Sequence, residues 1–132
     1  MPTKIKLTFE GHELAAELND SETAKAIARR LPLTVRMSRW GDEYYGGIGA
    51  KLDVSPAKDA RDDMAVGELA YWIPGNALCV FFGPTPVSDG DEPKAASPVN
   101  PVGKVTGDVK VLKKLGGSVT LRVEALDDKA KR

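Results

Sequence analysis

The chain has 132 residues, enough for one domain with a sizeable core and too few for two comfortable ones. Nineteen basic side chains balance nineteen acidic ones, so the net charge gives no field that would attract nucleic acid or an acidic membrane surface. The single cysteine cannot form an internal disulfide, the N-terminus lacks a signal-peptide pattern, and no apolar run approaches the length of a membrane span. We therefore expect a soluble cytoplasmic protein.

The N-terminal segment predicts a hairpin followed by a helix. Apolar and polar residues alternate over 3–9 and again over 13–18, on either side of a tight turn. Asn19 or Asp20 can then accept a hydrogen bond from a free N–H of a first helical turn, and apolar residues recur at helical spacing until Pro32 ends the helix. Further strands are expected over 33–40 and 44–50. The second of these carries three glycines, which indicate a bulge, a bend or a close backbone approach.

The stretch over 67–86 organises the rest of the chain. Residues 68–73 alternate, and Pro74-Gly75-Asn76 then turns the chain, because proline lacks an N–H and glycine and asparagine tolerate positive φ. The run 77–82 is continuously apolar, as expected of a strand that is covered on both faces. The pattern predicts a central hairpin in a β-rich core.

The C-terminal part contains one long stretch without a clear pattern. Residues 87–101 predict an irregular loop, since six of the nine prolines lie between residues 74 and 101. A short strand over 102–106, a helix over 108–115 that two glycines terminate, and a last strand over 119–124 are expected after it.

The order of elements predicts a mainly β protein. Many short antiparallel strands with few helices favour a closed barrel, because closure removes exposed sheet edges. The two helices would plug or flank the ends of this barrel. We expect a single domain over 1–126, followed by a solvated tail over 127–132.

This order and several local segments resemble the cyclophilin barrel. The most distinctive segments are AYWIPGNALCVFFGPTP (Ala70 to Pro86) and NPVGKVTGD (Asn100 to Asp108). They are most similar to a small prokaryotic family of cyclophilin-like proteins of unknown function, and the resemblance covers nearly the whole chain. It implies a closed cyclophilin-like β-barrel of antiparallel strands with two helices.

The resemblance also implies where an active groove would lie. Cyclophilins isomerise X–Pro bonds in a groove with an arginine, a glutamine, a phenylalanine-lined proline pocket and a histidine at the rim. Here Arg39 or Arg36 falls on the strand of that arginine, and Phe81 or Phe82 falls on the strand of a pocket phenylalanine. The chain has no glutamine, and its one histidine, His12, lies in the first turn. We expect binding of a small molecule or an extended peptide without the usual catalysis; the alternative is a prolyl isomerase with an altered catalytic set.

Other polar groups favour structural roles. Cys79 lies in an apolar run, where a buried thiol is inert. Asp89, Asp91 and Glu92 lack the remaining positions of a calcium loop, so a solvated acidic loop is expected. The glycines over 46–49 have the wrong spacing for a dinucleotide fingerprint. We therefore expect no catalytic residue, no metal and no cofactor.

The predicted ligand site is a shallow cleft on the outer wall or at the mouth of the barrel, because an interior of this size is filled by side chains. Arg39 supplies a cation, Trp72 and Phe82 supply aromatic surface, and the loop over 84–101 forms a wall. Arg36 and Arg39 differ by an odd number, so one of them should be solvated. The ligand expected there is neutral or anionic and has an apolar part.

The aromatic density of the central stretch also bears on partners. A homodimer that buries an exposed tryptophan or tyrosine is compatible with this density. The neutral charge balance and the lack of a membrane span predict no nucleic-acid partner and no membrane partner.

Overall fold

The computed structural model describes residues 2–126, so the predicted tail lies outside the described residues. The strands within this range are β1 (Thr3–Phe9), β2 (His12–Leu18), β3 (Leu33–Arg39), β4 (Glu43–Gly47), β5 (Arg61–Asp63), β6 (Glu68–Trp72), β7 (Ala77–Phe81), β8 (Lys94–Val105) and β9 (Ser118–Ala125). The helices are α1 (Glu22–Ala28) and two 3-10 helices, Ile73–Gly75 and Val109–Lys114. No helix in the described range is long and apolar enough to cross a membrane.

The strands form one antiparallel sheet that closes on itself. Their order is β2-β1-β9-β3-β4-β7-β6-β8-β5, and a further pairing between β2 and β8 completes a ring. The short strand β5 pairs with β8 outside this ring. Closure satisfies the backbone groups that the end strands of an open sheet would expose. The predicted ring of antiparallel strands is therefore confirmed.

Side chains that alternate along the strands fill the ring. Ile5, Leu7 and Phe9 are fully buried, as the alternation along β1 predicts. Tyr44 and Phe82 stack in the same cluster, with their ring centroids 5.4 Å apart. Full burial of a side chain of this kind contributes about 1.5–3 kcal/mol. The interior is a packed apolar core, so space for a ligand lies outside it.

Both predicted helices are present, with changes at their starts and in their type. Ser21, rather than Asn19 or Asp20, caps α1 by accepting a hydrogen bond from the Ala24 N–H at 3.1 Å. Asn19 supports this cap, because its Oδ1 accepts from the Ser21 N–H at 3.0 Å. The second helix is a 3-10 helix over Val109–Lys114 and not a full α-helix. A segment this short gains little from α-helical hydrogen bonds, so its packing decides its form.

Strand β8 replaces most of the irregular loop predicted over 87–101, and that prediction is wrong for most of its length. The strand runs for 12 residues despite Pro98 and Pro101. Pro101 stands opposite Ala70, beside a register shift between Leu69 and Ala70, and a proline is tolerated in a strand at such an irregularity. The prolines thus conceal a strand that pairs with β2, β5 and β6.

A glycine in β4 permits a close approach between two strands. A Cβ atom on Gly46 would overlap the carbonyl oxygen of Arg36 and would lie 2.8 Å from Cγ1 of Val35. Close backbone approach is one of the roles that the glycine content of this strand predicts. It lets β4 leave β3 after two paired positions and continue along β7. At the turn between β3 and β4, the polar side chains of the candidate site face different sides of the sheet.

Candidate functional site

Arg39, the cation of the predicted cleft, is bound by the protein itself. Its Nη2 donates to Oδ1 of Asp42 at 2.8 Å, and its Nε donates to the carbonyl of Gly41 at 2.8 Å. Its Nη1 donates to the carbonyls of Lys113 and Leu115 at 3.2 and 2.8 Å. These contacts join the β3–β4 turn to the end of the second helix, so the guanidinium has a structural role. Arg36 is the solvated arginine of the pair, as expected.

The predicted cleft is not formed by its three residues. The Arg39 guanidinium lies over the ring of Phe82, 5.1 Å from the ring centroid, and Phe82 is part of the ring interior. Trp72 packs instead against a second apolar cluster, together with Phe81 and Cys79. Successive residues of a strand face opposite sides of a sheet. A shift of one residue in register therefore separates Phe82 from Trp72, and Phe81 is the phenylalanine on the side of Trp72.

A different concave region lies on the outer face of the sheet, with a volume of about 150 Å³. We call it the outer groove. It is lined mainly by apolar and aromatic side chains, and both tryptophans of the chain are among them. The lining residues are Trp40, Glu43, Tyr45, Trp72, Cys79, Ala95, Ala96 and Val99.

Strand geometry explains why these residues meet. Glu43 and Tyr45 are two apart on β4 and so share a face, and Cys79 on β7 stands directly opposite Tyr45. Trp40 follows β3 and is tied to β4 by reciprocal backbone hydrogen bonds with Glu43, at 2.8 and 3.2 Å. The indole of Trp72 is oriented by strand β8, because its Nε1 donates a hydrogen bond to the hydroxyl of Ser97.

The predicted wall between residues 84 and 101 does border the groove, although as a strand. Ala95, Ala96 and Val99 of β8 line it. Ser97 Oγ accepts the hydrogen bond from Trp72 Nε1 at 2.7 Å. The small alanine side chains leave the space that the groove occupies, while the serine fixes one aromatic wall.

Glu43 is the unusual group of the outer groove. It is 5% exposed, and its Oε1 has no hydrogen-bond partner among the described residues. Burial raises the pKa of Glu43 from 4.5 to about 7, an effect that a hydrogen bond with the Cys79 thiol partly offsets. Burial and the neighbouring Glu43 carboxylate also raise the pKa of Cys79, so this thiol stays neutral.

The sequence interpretation did not include Trp40, Glu43 and Tyr45 as site residues. It began the strand at residue 44, whereas β4 begins at Glu43. One signal was present, since a carboxylate two residues before a tyrosine lies on the same face of an extended strand. The local pattern does not show that β8 borders this face, because the part of β8 that lines the groove falls in the stretch predicted to be a loop.

Comparisons with known proteins agree with this fold. The model of the cyclophilin-like family matches residues 3–124. The chain is similar to the hypothetical protein AF2241 from Archaeoglobus fulgidus, whose solution structure has a TM-score of 0.77 at 36% identity over 93% of this chain and 94% of that one. A search of curated proteins gave no significant match. The predicted mainly β, cyclophilin-like fold is confirmed. The chain belongs to the cyclophilin-like family.

Proposed function

We propose that the protein binds a small molecule or an extended peptide in the outer groove, without prolyl isomerase catalysis. The observation that carries this proposal is a concave region that both tryptophans line together with Glu43, whose buried Oε1 has no hydrogen-bond partner among the described residues. Ligand sites are commonly apolar and aromatic with a few polar groups that orient the ligand. The outer groove has this composition.

The energetics of Glu43 favour a ligand. A buried polar atom without a hydrogen bond costs about 1–3 kcal/mol, and a buried charge costs more. The fold could avoid this cost with an apolar side chain at the same position. A ligand that donates a hydrogen bond to Oε1 would recover the cost, and the aromatic walls would supply contact area. The free energy that the ligand-free protein loses at Oε1 would thus be recovered on binding and would increase the affinity for a ligand that donates to this atom.

The paired state of Arg39 supports binding over isomerisation. A catalytic arginine has to reach the reacting amide, whereas the Arg39 guanidinium contacts Asp42, three backbone carbonyls and the Phe82 ring. No arginine among residues 2–126 lines the outer groove. The sequence has no glutamine, and its one histidine, His12, lies at the start of β2. The described lining of the groove therefore lacks the arginine, glutamine and histidine that a cyclophilin groove contains.

Intrinsic fluorescence tests the proposal, because both tryptophans line the groove. We expect members of a panel of one-ring fragments and short X–Pro peptides to change the emission in a saturable way. Ala96→Phe should abolish the change, since Ala96 is an exposed lining residue whose enlargement fills the groove. Ala15→Phe, on an exposed position of β2, is the matched control and should have no effect.

A proline-peptide isomerisation assay accompanies the titration. We expect the uncatalysed rate with the native protein. Catalysis that Ala96→Phe removes and Ala15→Phe retains would establish the isomerase alternative instead. Saturable binding that both variants retain would place the ligand outside the outer groove and overturn the proposal.

A further inference from the structure

We infer that the outer groove is selective for a small alkylammonium cation that carries at least one N–H, which is donated to Glu43. This inference deepens the proposed function and rests on it. Four features of the described residues carry it: the charge of the lining, the aromatic walls, the pairing of the surrounding cations, and the size of the groove.

The charge of the lining is the first feature. Among residues 2–126, Glu43 is the one acidic residue that lines the groove, and no lysine, arginine or histidine of this range lines it. An anionic ligand would therefore meet a buried carboxylate with no compensating charge. A cation would pair with that carboxylate where water is largely excluded, which strengthens the attraction. Its N–H would satisfy Oε1, the atom that lacks a partner among residues 2–126.

The aromatic walls favour the same sign of charge. Trp40, Tyr45 and Trp72 line the groove together with the carboxylate. The face of an aromatic ring carries a partial negative charge, and tryptophan attracts a cation most strongly. Aromatic cages around a carboxylate suit alkylammonium groups, since the rings contact the alkyl substituents while the carboxylate contacts the N–H. The sequence-based expectation of a neutral or anionic ligand depended on Arg39, which is not among the residues that line this groove.

Two cations on the elements that border the groove lie next to other carboxylates. Arg39 pairs with Asp42 at 2.8 Å on the interior side of the turn. Lys94, next to the groove lining on β8, lies 3.8 Å from Asp89. Apart from Glu43, the titratable lining residues are Tyr45 and Cys79, and neither is cationic. Within the part of the chain that the structure describes, Glu43 has no positive partner, so a cationic ligand would supply one.

The size of the groove selects a compact group. An apolar cavity of about 150 Å³ holds a benzene-sized molecule. A dimethylammonium group with a two-carbon arm has a comparable bulk. The proposed ligand is accordingly an amine with small alkyl substituents, either free or at the end of a modified lysine side chain.

Three probes of nearly equal shape test this inference by tryptophan fluorescence. Protonated dimethylethanolamine is a cation with one N–H, and choline is a cation without an N–H. The third probe, 3,3-dimethylbutan-1-ol (dimethylbutanol), is the uncharged carbon isostere of choline. We expect dimethylethanolamine to bind at least about fivefold more tightly than dimethylbutanol, with choline between them. Equal binding of all three would overturn the inference and leave the groove as a ligand site. If none of the three probes binds and no member of the fragment panel changes the tryptophan emission, both proposals would be overturned.

Two variants show whether the named side chains cause the preference. Glu43→Gln should remove the preference for the cations while retaining the binding of dimethylbutanol. The affinity of the native protein for dimethylethanolamine should rise between about pH 5 and pH 8, because the carboxyl loses its proton, and Glu43→Gln should lose this dependence. Trp40→Leu should weaken choline more than dimethylbutanol, and Trp72 remains as the reporter. A cation preference that survives in both variants would overturn the inference.

A peptide that carries dimethyllysine distinguishes the two sources of this chemistry. Binding at least about tenfold tighter than that of dimethylethanolamine would identify a modified side chain as the source, through contacts of the adjoining backbone. Equal or weaker binding would identify a free amine. Both results support the cation selectivity, which the three small probes test separately.

Discussion

Asp42 and Glu43 are adjacent in the sequence, yet their carboxylates lie in opposite environments. Asp42 accepts hydrogen bonds from Arg39 at 2.8 Å and from Lys113 Nζ at 3.0 Å. Burial works to raise the pKa of Asp42, but the hydrogen bonds and charges of these two cations outweigh it and lower the pKa. Glu43 is buried and forms no ion pair within the described range, and burial raises its pKa to about 7.

The comparison separates stability from function within a single turn. The direction of each side chain follows from the alternation of the extended chain, which sends one carboxylate to the end of the ring and the other to the outer groove. A charge that the fold pairs contributes to stability, and a charge that it leaves unpaired reduces stability and remains available to a ligand. Each prediction below tests one side of this contrast.

The largest expected effect is the dependence of stability on pH at Glu43. Because the pKa in the folded state is about 7 and the ordinary value is 4.5, the folded protein binds more protons between these pH values. The free energy of unfolding should therefore fall as pH rises through this window, by about 3 kcal/mol in total. Glu43→Gln should remove this fall and be the more stable protein at about pH 8.

Urea unfolding at several pH values measures this effect. Glu13→Gln, which removes an exposed carboxylate of β2, is the matched control and should keep the fall seen in the native protein. Parallel pH profiles for the native protein and Glu43→Gln would contradict the interpretation of Glu43 as a buried acid without a counter-charge among the described residues.

An intermediate effect of opposite sign is expected at Asp42. Asp42→Asn removes the counter-charge of Arg39 and Lys113, and we expect it to lower the free energy of unfolding by about 2 kcal/mol near neutral pH. Since the pKa of Asp42 is lowered by folding, this contribution should disappear in acid, as the carboxyl of the native protein takes up a proton. Asp53→Asn, at an exposed position, serves as the control in the same measurement. If Asp42→Asn left the free energy of unfolding unchanged, the proposed distinction between the two carboxylates would be wrong.

The smallest expected effect concerns the wall of the groove. Trp72→Phe and Ser97→Ala each delete the 2.7 Å hydrogen bond between β6 and β8, and each should cost about 1 kcal/mol. The double variant should cost less than the sum of the two, since both delete the same bond. Thermal unfolding of the four proteins gives the interaction energy. Full additivity would mean that this bond does not orient the indole.

The ring could be predicted from the sequence because period-two alternation marks its strands. Strands β1, β2, β3, β6, β7 and β9 have an apolar face or an apolar run that appears in the chain itself. The first part of strand β8 was missed because prolines conceal it, whereas the last residues of β8 fall in the strand predicted over 102–106. Strand β5 was missed because three charged residues are too few for alternation to appear. Both exceptions depend on pairing with distant segments, which the local pattern does not contain.

The site was harder to predict because it depends on register. The cleft predicted from Arg39, Trp72 and Phe82 contains one residue that lines the outer groove, Trp72. A shift of one position reverses the face of a side chain, so Trp40 takes the place expected of Arg39. Alternation alone shows that Arg39 and Trp40 face opposite ways, and only the closed ring shows which way is inward.

Two parts of strand β8 have different structural roles. Residues 103–105 close the ring against β2, whereas Ala95 and Ala96 set the width of the groove. Closure needs a glycine at Gly103, because a Cβ there would overlap the carbonyl oxygen of Glu17. Mutational drift at the two alanines can therefore change ligand size while the closure remains constrained. Among proteins that share this ring, divergence in specificity should concentrate in the first half of this strand.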